Sequence, residues 1–100
     1  MTYRRNWDDL YLSDLARLPD DEMRTKVRSM TTMLAGNPYM EPSVSVEASV
    51  RAIDVQGRMV LLYKVCDNAT LLFLHVSEYG PYEEYPRDAR EVLQELRVES

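Results

Sequence analysis

The sequence predicts a single α+β domain, with helices in its first half and a small antiparallel sheet in its second. The first half carries apolar residues at the three- and four-residue spacing of a helix, whereas residues 59–76 contain two apolar runs of strand length. A chain of 100 residues leaves room for one hydrophobic core. We therefore expect one domain over residues 1–100, in which an αα-hairpin packs on the sheet.

The N-terminal elements follow from the spacing of the apolar residues. Residues 3–7 alternate between two faces, which predicts a short edge strand. A first helix begins at Asp8 and stops at Leu18, and Pro19 fits the first turn of a second helix that ends at Gly36. The apolar stripes of the two helices are formed by Tyr11, Leu15 and Leu18, and by Met23, Val27, Met30 and Leu34.

Residues 44–55 are predicted to form one strand with an irregularity. Residues 44–50 alternate apolar and polar side chains, and the alternation slips before Ile53. A bulge near Arg51 and Ala52 would explain the slip. The Gln-Gly pair at 56–57 suits a tight turn into the next strand.

The last third of the chain predicts two central strands and a final helix. The runs 59–65 and 71–76 are apolar on both faces, as expected of strands in the middle of a sheet. An Asp-Asn turn at 67–68 connects them. Pro86 can open a C-terminal helix, whose apolar face contains Ala89, Val92, Leu93 and Leu96.

The composition argues against broad nucleic-acid binding, an internal disulfide and a membrane-spanning segment. The net charge of −5 works against broad attraction to nucleic acid, so any RNA contact must be local. The single Cys66 cannot close an intramolecular disulfide, and no apolar run reaches the roughly 20 residues that cross a bilayer. Residues 1–7 do not suggest a secretory signal. We expect a cytoplasmic protein with no membrane contact.

The order of elements resembles the RelE/ParE toxin superfamily, small partners in bacterial toxin-antitoxin operons. The resemblance rests on LARLPDDEMRTKVRSMTTMLAGNP in the helices and on GRMVLLYKVCDNATLLFLHVSEYGPYEEY in the hairpin and the tyrosine-containing segment after it. It implies a short edge strand, two helices, a three-stranded antiparallel array and a C-terminal helix. It also implies an antitoxin partner. RelE-like members cut messenger RNA on the ribosome without metal, whereas ParE-like members inhibit DNA gyrase.

Carrying over the RelE-type site gives an incomplete set of residues. RNA cleavage without metal needs groups that move protons and cations that offset charge on the phosphate. The family supplies a basic cluster and a late tyrosine, but Val60 stands here where an arginine is expected, and acidic residues surround the late tyrosines. Only Tyr85, or its neighbour Tyr82, matches the family's late tyrosine. The ribonuclease hypothesis therefore uses Arg51, Arg58, His75 and Tyr85 as the catalytic set, with no metal or cofactor.

Several of these residues have ordinary alternatives. His75 on a central strand is equally a partly buried histidine with a hydrogen-bond partner. Tyr79 and Tyr82 either stack RNA bases or form a lid over the sheet. Three methionines, Met23, Met30 and Met33, either line an adaptable partner-binding face or fill the core. The function is accordingly a ribosome-dependent ribonuclease toxin, a non-catalytic binding module on the same scaffold, or a gyrase inhibitor.

Overall fold

The structure, a computed structural model, describes residues 2–41 and 43–78, except for the side chain of Glu47. These residues form two helices and five strands, an α+β fold as predicted. The predicted C-terminal helix and the tyrosines at 79, 82 and 85 lie outside the described residues. The elements are β1 (Arg4–Trp7), α1 (Asp9–Arg17), α2 (Asp21–Gly36), β2 (Val44–Glu47), β3 (Val50–Val55), β4 (Met59–Cys66) and β5 (Thr70–Glu78).

Both helices begin at an aspartate that caps them from outside. The carboxylate of Asp8 accepts a hydrogen bond from the Leu10 amide at 2.9 Å, and that of Asp20 accepts one from the Met23 amide at 2.8 Å. Because Asp20 occupies the cap position, Pro19 lies before α2 and not in its first turn as expected. The predicted end of α2 at Gly36 is confirmed.

The sheet is mixed, which corrects the prediction of a purely antiparallel sheet. Its strand order is β1-β5-β4-β3-β2, and β1 runs parallel to β5, with Trp7 beside Phe73. All other neighbours are antiparallel. A hairpin turn forces antiparallel pairing, but β1 reaches β5 only after two helices and three strands have intervened. Its direction is therefore not set by a local turn.

Residues 44–55 form a hairpin and not the single bulged strand that the alternation predicted. β2 and β3 are joined by a turn at Ala48 and Ser49, in which Ala48 adopts a φ of +47°. Positive φ usually requires glycine or asparagine, so a turn at alanine leaves no compositional signal. Register irregularities fall instead between Ser45 and Glu47, and between Leu62 and Tyr63 in the β4–β5 pair.

The β3–β4 turn at 56–57 is confirmed. Gln56 and Gly57 have φ values of 59° and 68°, as a tight hairpin turn requires. The carboxylate of Asp54 accepts a hydrogen bond from the Gly57 amide at 2.8 Å. The predicted central strands are also confirmed, since β4 and β5 are flanked by other strands on both sides.

The main core lies between the helices and one face of the sheet. Both predicted helical stripes contribute to it, with Tyr11, Val27 and Leu34 almost fully buried. A second, smaller cluster comprises the buried residues Ala52, Val60 and Leu62, with Val46, Val50 and Leu74 packed against it. None of the helices in the described part of the chain is long and apolar enough to cross a bilayer.

Candidate functional site

His75 is held by a carboxylate that the sequence analysis did not connect with it. Its Nδ1 is in hydrogen-bonding contact with Oδ2 of Asp14 in α1, and the His75 side chain is 16% exposed. A carboxylate accepts a hydrogen bond from a protonated ring nitrogen, so this contact fixes the orientation of the imidazole. This fixed orientation suits general acid-base chemistry, as well as the alternative of a partly buried histidine with a partner.

Asp14 also accepts a hydrogen bond from the edge of β5. The β1 strand ends at Trp7 beside Phe73, so the outer edge of β5 beyond that point lacks a strand partner among the described residues. There the Asp14 carboxylate accepts a hydrogen bond from the Val76 amide at 3.4 Å. Burial raises the pKa of Asp14, and this is opposed by the charge of His75 and by the Val76 hydrogen bond. The one carboxylate thus both orients His75 and satisfies a strand edge.

Asp14 had a recognisable signal in the sequence. It lies three residues after Tyr11 and one before Leu15, and therefore within the apolar face of α1. A carboxylate in such a position must find a charged or hydrogen-bonding partner, because an unpaired buried charge is very costly. The identity of that partner could not be read from the sequence, since His75 is more than sixty residues away.

Arg51 is engaged in local structure at the start of β3. Its Nη2 donates to the hydroxyl of Ser43 at 2.9 Å and to the Ser43 carbonyl at 3.3 Å. Its guanidinium carbon lies 5.0 Å from the centre of the Tyr39 ring, within the range of a cation-π contact. These contacts tie the segment after α2 to the sheet, which leaves less of the guanidinium available for an external phosphate.

Tyr63 also holds the segment between α2 and β2 against the sheet. Its hydroxyl donates to the Pro38 carbonyl at 2.5 Å, and its side chain is fully buried. Burial raises the pKa of Tyr63, and the neighbouring Ser43 and Arg51 oppose that rise. The tyrosine of the LYKV motif is therefore a structural anchor for the connection between α2 and β2.

Arg58 lies at the opposite end of the β3–β4 hairpin from Arg51. Arg51 pairs with Tyr63, whereas Arg58 precedes Met59, the first residue of β4. Five residues separate Arg58 from Tyr63, which corresponds to roughly 17 Å at about 3.4 Å per residue. Arg58 is exposed, and its Nη2 contacts the sulfur of Met23 at 3.7 Å. The two arginines therefore lie at opposite ends of the hairpin.

The three methionines expected to meet a partner differ in exposure. Met23 is buried, and Met30 packs partly buried against the main core. Met33 is 53% exposed on α2. Only Met33 of these three is therefore accessible to a partner, while the other two follow the alternative of filling the core.

An unpredicted cleft of about 500 Å³ opens between β1, α1 and α2. The residues that line it include Arg5, Arg28 and Tyr11. The two helices contact each other little, which leaves room for the cleft between them. The sequence carried a partial signal, because Arg28, Thr25 and Thr32 occupy the polar face of α2. No local pattern could place β1 beside that face.

The described residues hold no cluster of metal-ligating side chains. Within residues 2–41 and 43–78, no three side chains of His, Cys, Asp or Glu are placed to hold a metal ion. Cys66 lies at the end of β4 without a second cysteine, and its thiol is near the Lys64 carbonyl at 3.9 Å. The titratable pair that the fold brings together in this part of the chain is Asp14 and His75.

The chain is similar in fold to bacterial toxins of known structure. The match to isolated E. coli RelE covers 90% of this chain and 98% of that one, with a TM-score of 0.70 and 16% identity. The toxin-antitoxin complex RelBE2 of Mycobacterium tuberculosis gives 0.69 and 20%, over 79% of this chain and 100% of that one. The E. coli DinJ-YafQ complex gives 0.62 and 17%, over 84% and 100%. The predicted RelE-like fold is confirmed.

Sequence comparison adds nothing to this likeness. No protein-family model matches the chain, and no curated protein matches it by sequence. At 20% identity or less, the similarity concerns the arrangement of the backbone and not the chemistry of particular side chains.

Proposed function

We propose that this chain is the toxin-like component of a type II toxin-antitoxin pair, and that an antitoxin-like protein binds it in the cytoplasm. The observation that carries the proposal is the fold likeness to RelE over nearly the whole of both chains. Similar structures include toxins solved in complex with their antitoxins, such as RelBE2 and DinJ-YafQ. A shared scaffold makes a shared mode of regulation the simplest expectation, although folds host several functions.

Expression with and without the neighbouring reading frame tests this proposal. Induction of the chain alone should arrest growth of a bacterial host, and co-expression of the adjacent small gene should restore growth. The two products should then co-purify in a fixed ratio. Normal growth on induction, together with repeated purification of the chain alone from its native host, would contradict the proposal.

The finer form of the proposal is a ribosome-dependent endoribonuclease that needs no metal. His75, oriented by Asp14, would move the proton of the 2′-hydroxyl or of the leaving 5′-oxygen. Arg58 is an exposed cation at the end of the sheet where β5 also ends, beside the Met59–Glu78 pair. It would offset charge on the phosphate, with Tyr85 as the second proton-transfer group and Tyr79 and Tyr82 contacting RNA.

Transcript mapping in cells tests this finer form. His75→Asn, Arg58→Ala and Tyr85→Phe should each reduce cleavage of messenger RNA by about a hundredfold or more, the usual size of an acid-base or electrostatic contribution. Lys64→Ala is the matched control, because it removes an exposed cation from the strand that follows Arg58. Intact transcripts from the natural chain, or equal cleavage by all four variants, would rule out these catalytic roles.

A non-catalytic binding module is the second candidate, and the placement of the arginines favours it. Arg51 is occupied by Ser43 and Tyr39, and Arg58 lies at the other end of the hairpin. The second cluster on the sheet is apolar, formed around Ala52, Val60 and Leu62. If the chain is such a module, a stoichiometric partner is recovered from the host while transcripts remain intact. Loss of supercoiling by purified gyrase would instead support the gyrase alternative.

A further inference from the structure

The cleft between β1, α1 and α2 is lined by basic residues, although the chain as a whole is acidic. The chain carries a net charge of −5, yet no acidic residue among the described ones lines this cleft. Two arginines and five hydroxyl-bearing residues, one of which is Tyr11, line it together with Trp7, Leu12 and Leu15. Its volume of about 500 Å³ falls in the range of small-molecule sites.

Tyr11, which lines the cleft, carries a buried hydroxyl that lacks a partner among the described residues. Tyr11 is 1% exposed, and its hydroxyl has no hydrogen-bond partner among the described residues. Buried polar groups are nearly always paired, because an unpaired hydroxyl loses its bonds to water without replacement. A bound group that accepts a hydrogen bond would remove this cost.

Both arginines of the cleft are close enough to affect that hydroxyl. Burial raises the pKa of Tyr11 to about 12, and the charges of Arg28 and then Arg5 oppose the rise. Arg5 is held in place, since its Nη1 donates to the hydroxyls of Thr32 at 3.1 Å and Thr31 at 3.3 Å. Its guanidinium carbon also lies 5.5 Å from the centre of the Trp7 ring.

Arg28 is the free cation of the site. It is exposed on α2, and within the described residues its guanidinium makes no hydrogen bond or ion pair. Its backbone carbonyl accepts hydrogen bonds from the hydroxyls of Thr31 and Thr32, the residues that also hold Arg5. Arg28 and the two threonines that hold Arg5 therefore belong to one short stretch of α2. The guanidinium of Arg5 is fixed in position by those threonines.

We propose that this cleft binds an organic oxyanion, a carboxylate or phosphate attached to an apolar body, through Arg5, Arg28 and the hydroxyl of Tyr11. Guanidinium and hydroxyl donors recognise both kinds of oxyanion. Trp7 and Leu12, which are 41% and 47% exposed, lie along the cleft and contact the apolar body. The site is independent of the proposed toxin function, since it uses none of the residues assigned to RNA cleavage.

The single tryptophan of the chain provides the measurement, because Trp7 lines the cleft. The purified full-length chain is titrated at constant ionic strength with phenyl phosphate, benzoate, inorganic phosphate and, as a neutral analogue, benzyl alcohol. Saturable changes in Trp7 fluorescence are expected for the two aromatic anions, with phenyl phosphate binding more tightly than inorganic phosphate. Comparison of phenyl phosphate with benzoate shows which oxyanion the site prefers.

Three variants connect binding to the named residues. Arg28→Gln and Tyr11→Phe should each weaken binding of the aromatic anions by about tenfold, as expected from the loss of a hydrogen bond to a charged group. Lys26→Gln, which removes the same charge from α2 outside the cleft, should leave binding unchanged. Circular dichroism confirms that each variant is folded before it is titrated.

Three outcomes would overturn the proposal. The first is a response that does not saturate, which would indicate non-specific quenching of Trp7 and no binding site. The second is equal weakening by Lys26→Gln and Arg28→Gln, which would indicate general charge attraction. The third is equal binding of benzyl alcohol and benzoate, which would show an apolar cleft in which the arginines play no part.

Discussion

At the scale of single residues, two buried polar groups distinguish this chain. Asp14 lies in the apolar face of α1 and meets both His75 and the edge of β5. Tyr11, one turn earlier on the same helix, has a buried hydroxyl without a described partner. The first group is paired, whereas the second is not, but burial raises the pKa of both side chains.

Replacement of Asp14 by asparagine should change how stability depends on pH. Burial raises the pKa of Asp14 in the folded state above its unfolded value of about 3.9. The unfolded chain therefore releases this proton at lower pH, and stability falls as pH rises from about 4 through the folded pKa. Urea unfolding between acid and neutral pH should show the natural chain losing stability relative to Asp14→Asn. A constant difference between the two would contradict burial of the carboxylate.

Replacement of Tyr11 by phenylalanine should leave the chain at least as stable at neutral pH. The substitution removes a buried hydroxyl that has no described partner and keeps the ring that packs against Trp7 and Phe73. Because the folded pKa is about 12, against 10 for a free tyrosine, the natural chain should lose roughly 1 kcal/mol relative to the variant by about pH 11. Denaturant unfolding measures both values. Marked destabilisation at neutral pH would mean that the hydroxyl has a partner.

At the scale of elements, the ends of helices and the turns between strands decide how the chain is divided. Capping aspartates start both helices, and residues at positive φ, such as Ala48, Gln56 and Asn68, lie in the turns between strands. Two glycines of the described residues show the difference between these requirements. Gly57 has a φ of +68° in the β3–β4 turn, whereas Gly36 closes α2 without positive φ, and neither would bring an added Cβ near another atom.

A pair of glycine substitutions tests the effect of backbone conformation alone, because an added Cβ would be uncrowded at both positions. Gly57→Ala should lower the free energy of unfolding by about 1 kcal/mol, because the left-handed conformation is unfavourable for alanine. Gly36→Ala should leave stability unchanged or raise it by up to about 1 kcal/mol, because alanine favours helix. Thermal and urea unfolding of both variants gives the comparison. Equal effects would show that conformation at Gly57 is not the cause.

At the scale of the whole molecule, the order of strands sets which parts open first. β4 and β5 are internal to the sheet, while β1 and β2 are its outer strands among the described elements. All four residues of β1 are exposed, whereas β4 begins with five consecutive buried residues. Local opening is easiest where few apolar contacts are lost, so opening should begin at the outer strands.

Amide hydrogen exchange should reproduce this order. The amides of Leu61 and Leu62 in β4 are expected to exchange most slowly, near the rate set by global unfolding. The amides of β1 and β2 that point away from the sheet should exchange fastest among the strands. Slow exchange at the outer edge of β1 would instead reveal that another chain covers it in solution.

Local signals account for most of the elements that were predicted correctly. The stripes of α1 and α2, the Gln56-Gly57 turn and the two central strands all depend on residues close together in sequence. The Ala48 turn was missed because alanine seldom adopts positive φ and so gave no sign of the β2–β3 hairpin. The parallel direction of β1 was missed because no turn specifies it.

By itself the sequence determined the α+β class, the two helices and the central hairpin, because periodicity and turn preferences act over a few residues. Only the tertiary structure decided that Asp14 meets His75, that Arg51 and Arg58 lie at opposite ends of a hairpin, and that Arg5 and Arg28 line one cleft. Those arrangements depend on strand register and on how helices lie on the sheet. They arise from packing between segments far apart in the chain, which no local pattern encodes.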